Sequence, residues 1–301
     1  MTSLPTETRA SEAMEALPFP FQQHTFCRYE PVEKRIDEAR VLIVDDLLRD
    51  ENDLSAVAQR DWAGTVDVQL KRERLIAQMA IENIRNNVER LVKNPSIEVT
   101  HLVDLARIES EFKPNAIVLS GTLRDFDYYR TEILETFSQF IRKTSTAVLA
   151  ICGGHQLVGL SFGARVVTLD NLEQHEQREN RPQEYQYRFI RITDTADPIF
   201  RGDQWTETAN AARILRVWQN HGLQLDRVPR GFKLLATSYL CRNQMMVKRD
   251  EKQLIYTVQF HLEKSFEDWN KSRTRWEHPN ESRDGRILFQ NFLGLALAHH
   301  A

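Results

Sequence analysis

The sequence predicts an α/β fold in which a mostly parallel central sheet is flanked by helices, with an added antiparallel strand region in the second half. In the first half, short continuous apolar runs alternate with longer amphipathic segments. This alternation is typical of parallel strands that are joined by helices and buried on both faces. In the second half, short apolar runs follow one another with mainly polar turns between them, which favours antiparallel pairing.

The first half is predicted to begin with a strand at 39–46, where the run ARVLIVDD ends in two aspartates. Between residues 70 and 93, apolar residues recur at steps of three and four, which indicates an amphipathic helix that Asn94 and Pro95 bring to an end. The other elements predicted here are strands at 96–105, 115–122 and 146–152, a helix at 127–142 and a small helix from about Gly154.

The second half is predicted to contain five strands and a final helix. The strands are expected at 187–193, 212–221, 232–238, 244–248 and 254–261. The segment 248–253 has the composition of a hairpin turn, and the apolar spacing at 284–298 indicates a helix. Two strongly polar tracts, 171–186 and 263–285, are interpreted as solvated surface insertions.

Composition favours an ordinary globular protein over a nucleic-acid-binding or membrane protein. Of the 301 residues, 41% are hydrophobic and 28% are charged, and the net charge is only −3. A dedicated nucleic-acid-binding protein usually has a strong basic excess, and no segment approaches the roughly 20 apolar residues of a membrane span. The three cysteines form no CxxC pair, which suits a reducing compartment, so a cytoplasmic location is expected.

The expected organisation is an N-terminal extension at 1–37 followed by one domain at 38–301. The extension is rich in Pro, Thr, Glu and Ser and lacks the basic region and apolar run of a secretory signal. No glycine-rich nucleotide-binding loop is present, so no cofactor is predicted. No metal site is predicted either, because ligand spacing is lacking at His175, His278, His299 and His300.

The strongest chemical signal is Cys152, which lies between a predicted buried strand and two glycines. A tight turn after a strand needs small residues, and it exposes the thiol above a helix N-terminus, where the thiolate is favoured. The backbone N–H that follows can also face a developing oxyanion. The alternative is a buried, inert cysteine, because free cysteine is among the most buried residue types.

The segment VQFHLEK at 258–264 favours the catalytic interpretation of Cys152. It places His261 and Glu263 two residues apart at a strand end, so both side chains point the same way. A cysteine nucleophile needs a base to accept its proton, and an imidazole needs an acceptor that orients it. The order Cys152, then His261 and Glu263 about a hundred residues later, supplies both.

Three motifs in order give a resemblance to class I, triad-type glutamine amidotransferases. AICGGHQ (150–156) resembles the G-x-C-x-G-x-Q nucleophile signature of that family, and VQFHLE (258–263) resembles its QFHPE motif. GRILFQNFL (285–293) resembles the helix that usually follows. The resemblance implies a flavodoxin-like sheet and a catalytic triad of Cys152, His261 and Glu263.

A further segment, WQNHGLQLD (218–226), resembles the stretch that holds glutamine in the small subunit of carbamoyl-phosphate synthetase. The resemblance implies an oxyanion hole at Gly153, Gly121 and Thr122. It also implies that the residues holding the substrate are Gln156, Asn220, Gly222 and Leu223. Thr122 stands where the family usually has glycine, and a positive φ there would be costly for threonine. Leu262 stands where the family usually has proline.

The function implied by the resemblance is cysteine-dependent hydrolysis of the glutamine amide through a γ-glutamyl thioester. The chain has room for this domain and its extension but not for a synthase domain, so ammonia is expected to pass to a separate synthase subunit. The alternatives are a stand-alone γ-glutamyl amide or peptide hydrolase, a catalytically impaired regulatory module and a homoserine-succinyltransferase-type acyltransferase. The two polar tracts adjoin the Cys152 and His261 motifs, so they are expected to shape the substrate site or the partner interface.

Overall fold

The computed structural model describes residues 33–202, 213–264 and 283–299. The strands in these residues are β1 (Ile36–Asp45), β2 (Val92–His101), β3 (Ala116–Leu119), β4 (Ala147–Ile151), β5 (Val166–Thr168), β6 (Glu184–Ile192), β7 (Ile214–His221), β8 (Leu223–Leu225), β9 (Lys233–Thr237), β10 (Met245–Arg249) and β11 (Leu254–Val258). The α-helices are α1 (Ala56–Asp61), α2 (Val66–Leu91), α3 (Leu105–Phe112), α4 (Thr131–Ile141), α5 (Gly153–Ser161) and α6 (Arg283–His299).

Nine strands form one sheet in the order β2-β1-β3-β4-β11-β10-β9-β6-β7. The first five of these are parallel to one another, and the last four pair antiparallel. The predicted α/β class is therefore confirmed, and the antiparallel region of the second half continues the parallel sheet instead of forming a separate one. Strands β5 and β8 form a two-stranded sheet beside it.

The core lies on both faces of the nine-stranded sheet. On one face α2 and α6 contribute residues such as Val88 and Phe292. On the other face α3, α4 and α5 contribute residues such as Phe137 and Leu157. Alternate residues of β1 enter the two clusters, so the strand is apolar on both sides, as a covered parallel strand must be. Among the described residues no helix is long and apolar enough to cross a membrane.

The prediction for the second strand was wrong at both of its ends. The helix α2 ends at Leu91, and β2 starts at Val92 and runs through Pro95, which pairs with Ala39 of β1. Because β2 is the edge strand of the sheet, proline can be accommodated there without removing an essential ladder hydrogen bond. The chain then leaves the sheet at His101 and enters a short 3-10 turn instead of extending to residue 105.

Three smaller differences remain: two elements begin at other residues than expected, and two short strands were not predicted. Strand β1 starts at Ile36, earlier than expected, because its first residues pair with the long edge strand β2. Helix α4 starts at Thr131, since a 3-10 turn occupies residues 126–128. The short strands β5 and β8 carry too few residues to give a sequence signal. Residues 1–32 and 265–282 lie outside the described residues, and the division into an extension at 1–37 and one domain at 38–301 stays a prediction.

Candidate active site

The candidate site lies where three neighbouring strands of the sheet end. Strands β3, β4 and β11 are parallel, so their carboxyl ends meet at one edge, which is where ligands bind in open α/β sheets. The backbone N–H of Cys152, after β4, donates to Val258 O of β11 at 2.7 Å. The N–H of Gly154 donates to Ser120 O, after β3, at 3.1 Å. These bonds join the three strand ends into one rigid platform.

Cys152 has a strained backbone with φ 51° and ψ −103°. A non-glycine residue takes such a conformation only where its surroundings enforce it, and such strain is common at active sites. Cys152 is also the N-cap of α5, a helix of nine residues. The N-terminus of a helix carries a partial positive charge, so Cys152 lies at a positively polarised end of α5. The turn therefore has the geometry of a nucleophile elbow.

His261 and Glu263 lie together beside Cys152. His261 Nδ1 is 2.7 Å from Glu263 Oε1, and the backbone N–H of His261 donates to Trp218 O of β7 at 2.8 Å. Burial alone would lower the pKa of His261, but the charges of Glu263 and Cys152 and hydrogen bonds to both outweigh it and raise this pKa to about 10. The site therefore favours the charged form of His261 beside Cys152.

The backbone around Glu263 is held by residues that the sequence did not single out. Asn87, on α2 and 1% exposed, donates its side-chain N–H to Glu263 O at 2.6 Å. Leu262 is buried, and its backbone packs so closely on Gly285 of α6 that a Cβ there would lie 2.7 Å from Leu262 O. Tight packing thus restrains the backbone at Leu262, where the family usually has the rigid ring of a proline.

Gln259 lies two residues before His261, on the same side of the chain after β11, and its side chain faces Cys152. It is fully buried, and its Nε2 donates to Cys152 Sγ at 3.7 Å. The amide of Gln156 fixes its orientation, because Gln156 Nε2 donates to Gln259 Oε1 at 3.0 Å and to Leu223 O at 3.2 Å. The alternation Gln259, His261, Glu263 could have revealed this residue, since all three follow the period of two.

The turn after β3 brings Gly121 and Thr122 next to the nucleophile. A Cβ on Gly121 would lie 3.5 Å from both Cys152 Cβ and His261 Cε1. Thr122 does not take a positive φ, so the strain that a threonine there could have caused is absent. It packs directly on Gly153, where a Cβ would lie 2.2 Å from Thr122 Oγ1 and 2.3 Å from Thr122 N. The absence of a side chain at Gly153 makes room for Thr122, and the two backbones run close together.

A pocket of about 530 Å³ opens above this platform. It is lined by the predicted site residues Gly121, Thr122, Cys152, Gln156, Asn220, Gly222, Leu223 and His261. Gly153 and Glu263 lie behind this lining and are buried. Since Gln156 uses its Nε2 for two hydrogen bonds, its amide oxygen is the atom that remains for a ligand.

Most residues of the polar tract 171–186 are exposed, as predicted, but part of the tract contacts the site. Its arginines Arg178 and Arg181 line the pocket and bind Asp125, which is only 7% exposed, on the segment that follows the Thr122 turn. Glu184 is buried as well. The physical reason is that the tract's charges meet opposite charges on another loop, and a polar composition alone cannot distinguish this from solvation.

Two buried histidines near the site, His155 and His221, are hydrogen-bonded to other parts of the fold. His155 is fully buried and bonds to Thr257 Oγ1 at 2.7 Å, and burial together with His221 lowers its pKa to about 3, so it is neutral. His221, Glu184 and Cys241 have potential ligand atoms within 4.8 Å of one another. His221 bonds to Leu223 O at 3.0 Å and to Gln219 Oε1 at 2.9 Å, so both of its ring nitrogens have partners within the fold.

The strand-end elbow, the buried histidine–carboxylate pair and the doubly covered sheet define an α/β protein with a cysteine-centred site. Residues 77–277 match the glutamine amidotransferase class-I family, and the chain belongs to this family. This finding and the geometry agree, because the match includes the Cys152 elbow, the Asn220 segment and the His261–Glu263 pair.

Curated relatives match about half of the chain. A glutamine-hydrolysing GMP synthase subunit of Thermococcus kodakarensis is 36% identical over 155 residues, which is 50% of this chain and 67% of that protein. The subunit of the same name in Methanothermobacter thermautotrophicus is 29% identical over 154 residues, which is 51% of this chain and 63% of that protein. The match spans only 27% of the glutamine-hydrolysing GMP synthase of Pediococcus pentosaceus.

Solved structures share the fold. A protein from Thermoplasma acidophilum that is named as a GMP synthase subunit has a TM-score of 0.53 at 20% identity, over 87% of this chain and 96% of that one. A glutamine amidotransferase from Thermotoga maritima has a TM-score of 0.52 at 17% identity, over 86% and 98%. At these identities the likeness establishes the fold alone, which is that of the glutamine amidotransferase domain.

Proposed function

We propose that this chain hydrolyses the side-chain amide of glutamine through a γ-glutamyl thioester on Cys152 and supplies the ammonia to a separate acceptor enzyme. The observation that carries the proposal is the strained elbow that presents Cys152 to His261, whose pKa is raised to about 10. A charged imidazole beside a thiol at a helix N-terminus is the arrangement that an activated cysteine nucleophile requires.

The chemistry follows from these positions. His261 holds the proton of Cys152, and the thiolate attacks the amide carbon of glutamine. The backbone N–H groups of Gly153 and of the Gly121–Thr122 turn stabilise the oxyanion. When the tetrahedral intermediate collapses, the C–N bond breaks and His261 gives its proton to the leaving ammonia. Water then loses a proton to His261, attacks the thioester and releases glutamate, which returns the thiol.

The amino-acid end of glutamine is assigned to the far side of the pocket. Asn220, Gly222 and Leu223 line that side, and Gln156 lines the same pocket with its Nε2 already bonded to Leu223 O and Gln259 Oε1. The peptide groups of the loop are close to Arg181, since a Cβ on Gly222 would lie 2.8 Å from Arg181 Cδ. A side chain on residue 222 would therefore displace Arg181, which lines the same pocket.

The relatives suggest the first acceptor to test. Two of them are named as one subunit of a glutamine-hydrolysing GMP synthase, a name that implies a separate second subunit. We therefore propose that the acceptor is a separate protein of synthase type, and that the subunit that forms GMP is the first candidate. The chain spans 63–67% of these relatives, so the acceptor is assigned by proposal alone.

A stand-alone γ-glutamyl amide hydrolase is the second candidate, and the size of the pocket favours it. A volume of about 530 Å³ lies within the range of pockets that hold ligands of drug size, and this pocket extends past the elbow to Arg178 and Glu179. A γ-glutamyl compound with a larger leaving group has space on that side. Free glutamine leaves the same space to water or to a partner.

The deciding experiment measures ammonia and glutamate released by the purified protein from glutamine and from a set of γ-glutamyl amides. We expect equal amounts of both products from glutamine, no activity in Cys152→Ala, and normal activity in Cys241→Ala, whose thiol is buried. A glutamine-analogue alkylating agent should label Cys152 alone. Labelling of Cys241 instead, or brisk hydrolysis of larger amides with glutamine a poor substrate, would reject glutaminase function.

A further inference from the structure

Residues 174–183, called the strap here, connect the two walls of the pocket. At one end of the strap, Gln174 Oε1 accepts a hydrogen bond from Phe126 N at 2.9 Å, and its Nε2 donates to Val166 O at 3.2 Å. Further along, Arg178 donates to Asp125 Oδ2 at 2.7 Å and to Asp127 Oδ1 at 3.1 Å. The strap is thus bonded to the loop that follows the Gly121–Thr122 turn at several points.

Arg181 makes the tightest of these connections. Its Nη1 and Nη2 donate to Asp125 Oδ1 and Oδ2, each at 2.9 Å, which is the bidentate geometry of a strong arginine–carboxylate pair. The side chains of Arg181 and Asp125 are only 10% and 9% exposed. An ion pair this buried holds its geometry, because separation leaves two charges without water or a partner.

The same arginine contacts the opposite wall of the pocket. Its aliphatic part lies on Gly222, where a Cβ would be 2.8 Å from Arg181 Cδ and 2.9 Å from Cγ. Gly222 belongs to the loop that we assign to the amino-acid end of glutamine. Arg181 therefore spans from that loop to Asp125, which lies three residues after Thr122.

We propose that the strap, through Arg181, presets the Gly121–Thr122 turn, so that the isolated chain hydrolyses glutamine without a partner to shape its oxyanion hole. This inference rests on the proposed function and adds to it that the acceptor enzyme receives ammonia but does not switch the site on. Two observations carry it. Asp125 is clamped by two arginines, and Thr122 is wedged against Gly153 without a positive φ. Contacts on both sides of the turn stabilise this one position over others that a partner could select.

Arg181 is a positioning residue in this proposal, so its effect should fall on the chemical step. An oxyanion donor that is removed costs about 10²–10³-fold in kcat, and one that is poorly aimed costs part of that. We expect Arg181→Ala to lower kcat for glutamine by about 10–100-fold, with KM changed much less. Binding of an aldehyde analogue of glutamine, which forms a tetrahedral adduct with Cys152, should weaken by a similar factor.

The matched control is Arg165→Ala. Arg165 also binds a carboxylate of this region, Glu173, but its side chain is 62% exposed and it does not line the pocket. This variant should keep wild-type kcat. If Arg181→Ala does not fold, Arg181→Lys keeps the charge but loses the bidentate geometry, and a reduced kcat with unchanged KM supports the same conclusion.

Wild-type activity decides between the outcomes. Steady glutamine hydrolysis by the chain alone, unchanged by a candidate synthase subunit, supports a preset turn. Hydrolysis that appears only with that subunit, or a kcat of Arg181→Ala equal to that of wild type, overturns the role of the strap and leaves the glutaminase proposal standing. No hydrolysis under either condition, with Cys152 unlabelled by the glutamine analogue, rejects the glutaminase proposal itself and with it the inference.

Discussion

At the scale of single residues, Cys152 carries its chemistry on a backbone that suits glycine better. With φ 51° and ψ −103°, its conformation costs of the order of 1–3 kcal/mol relative to a relaxed residue. Alanine shares this cost and glycine does not. We therefore expect Cys152→Gly to be more stable than Cys152→Ala by about 1 kcal/mol, the reverse of the usual order.

Urea denaturation of the two inactive variants measures this difference directly. Both variants lack the thiol, so the free energy lost with the packing of the sulfur is the same in each and cancels from the difference. A matched pair at Glu135, an exposed position inside α4, gives the ordinary order, with Glu135→Gly less stable than Glu135→Ala. Equal or greater stability of Cys152→Ala would show that the elbow is not strained.

His261 gives a prediction for pH. Its pKa rises from 6.5 to about 10 on folding, where burial opposes the shift and the charges of Glu263 and Cys152 cause it. A group with a raised pKa stabilises the folded state fully below its unfolded pKa and loses this contribution as the pH rises through the folded value. The advantage of wild type over His261→Asn in the free energy of unfolding should therefore shrink between pH 6.5 and about 10.

The measurement is a series of urea denaturation curves for both proteins across that range. A variant at a neutral buried histidine, His155→Asn, serves as the control, because the pKa of His155 is lowered to about 3 and its imidazole does not titrate in that interval. A constant difference between wild type and His261→Asn across the whole interval would contradict an imidazolium in the site.

At the scale of secondary structure elements, α2 holds the backbone of Glu263, the proposed partner of His261. Asn87 donates to Glu263 O at 2.6 Å and to Asn83 O at 2.8 Å, and it is 1% exposed. Asn87→Ala leaves a buried carbonyl without its donor, which costs about 1–3 kcal/mol of stability. We also expect a several-fold loss of kcat, because Glu263 orients His261.

Thermal unfolding and glutamine kinetics of Asn87→Ala test both parts of this expectation. Glu89→Ala is the comparison, because Glu89 lies on the same helix two residues further along and its side chain is exposed. This variant should keep both the wild-type stability and the wild-type kcat. Normal kcat in a destabilised Asn87→Ala would limit Asn87 to a purely structural role.

The sequence predicted those elements whose pattern is local. The buried strands β1, β3, β4 and β11 are continuous apolar runs, and the elbow and the His261–Glu263 alternation need only neighbouring residues to be recognised. What it could not predict depends on distant partners. Pro95 lies within β2 because that strand is at the sheet edge, and the side chain of Arg181 is only 10% exposed because Asp125, 56 residues earlier, neutralises it. Neither the edge position of β2 nor the pairing of Arg181 with Asp125 can be derived from composition.

At the scale of the whole molecule, one sheet combines two functions. Its parallel half provides the strand ends on which the turn after β3, the elbow after β4 and the segment after β11 converge. Its antiparallel half provides β7, whose Trp218 O fixes the backbone of His261 and whose last residues reach the substrate pocket. A substitution in the antiparallel half can therefore change substrate binding without touching the nucleophile.

The order of the strands has a consequence for synthesis on the ribosome. Cys152 directly follows β4, yet the neighbouring strand β11 is made about a hundred residues later and inserts between β4 and β10. A nascent chain that has emerged as far as β10 contains Cys152 but neither His261 nor the carbonyl of Val258 that holds the elbow. The thiol is therefore expected to stay unreactive until the last strand is placed, so that a growing chain does not consume glutamine before its fold is complete.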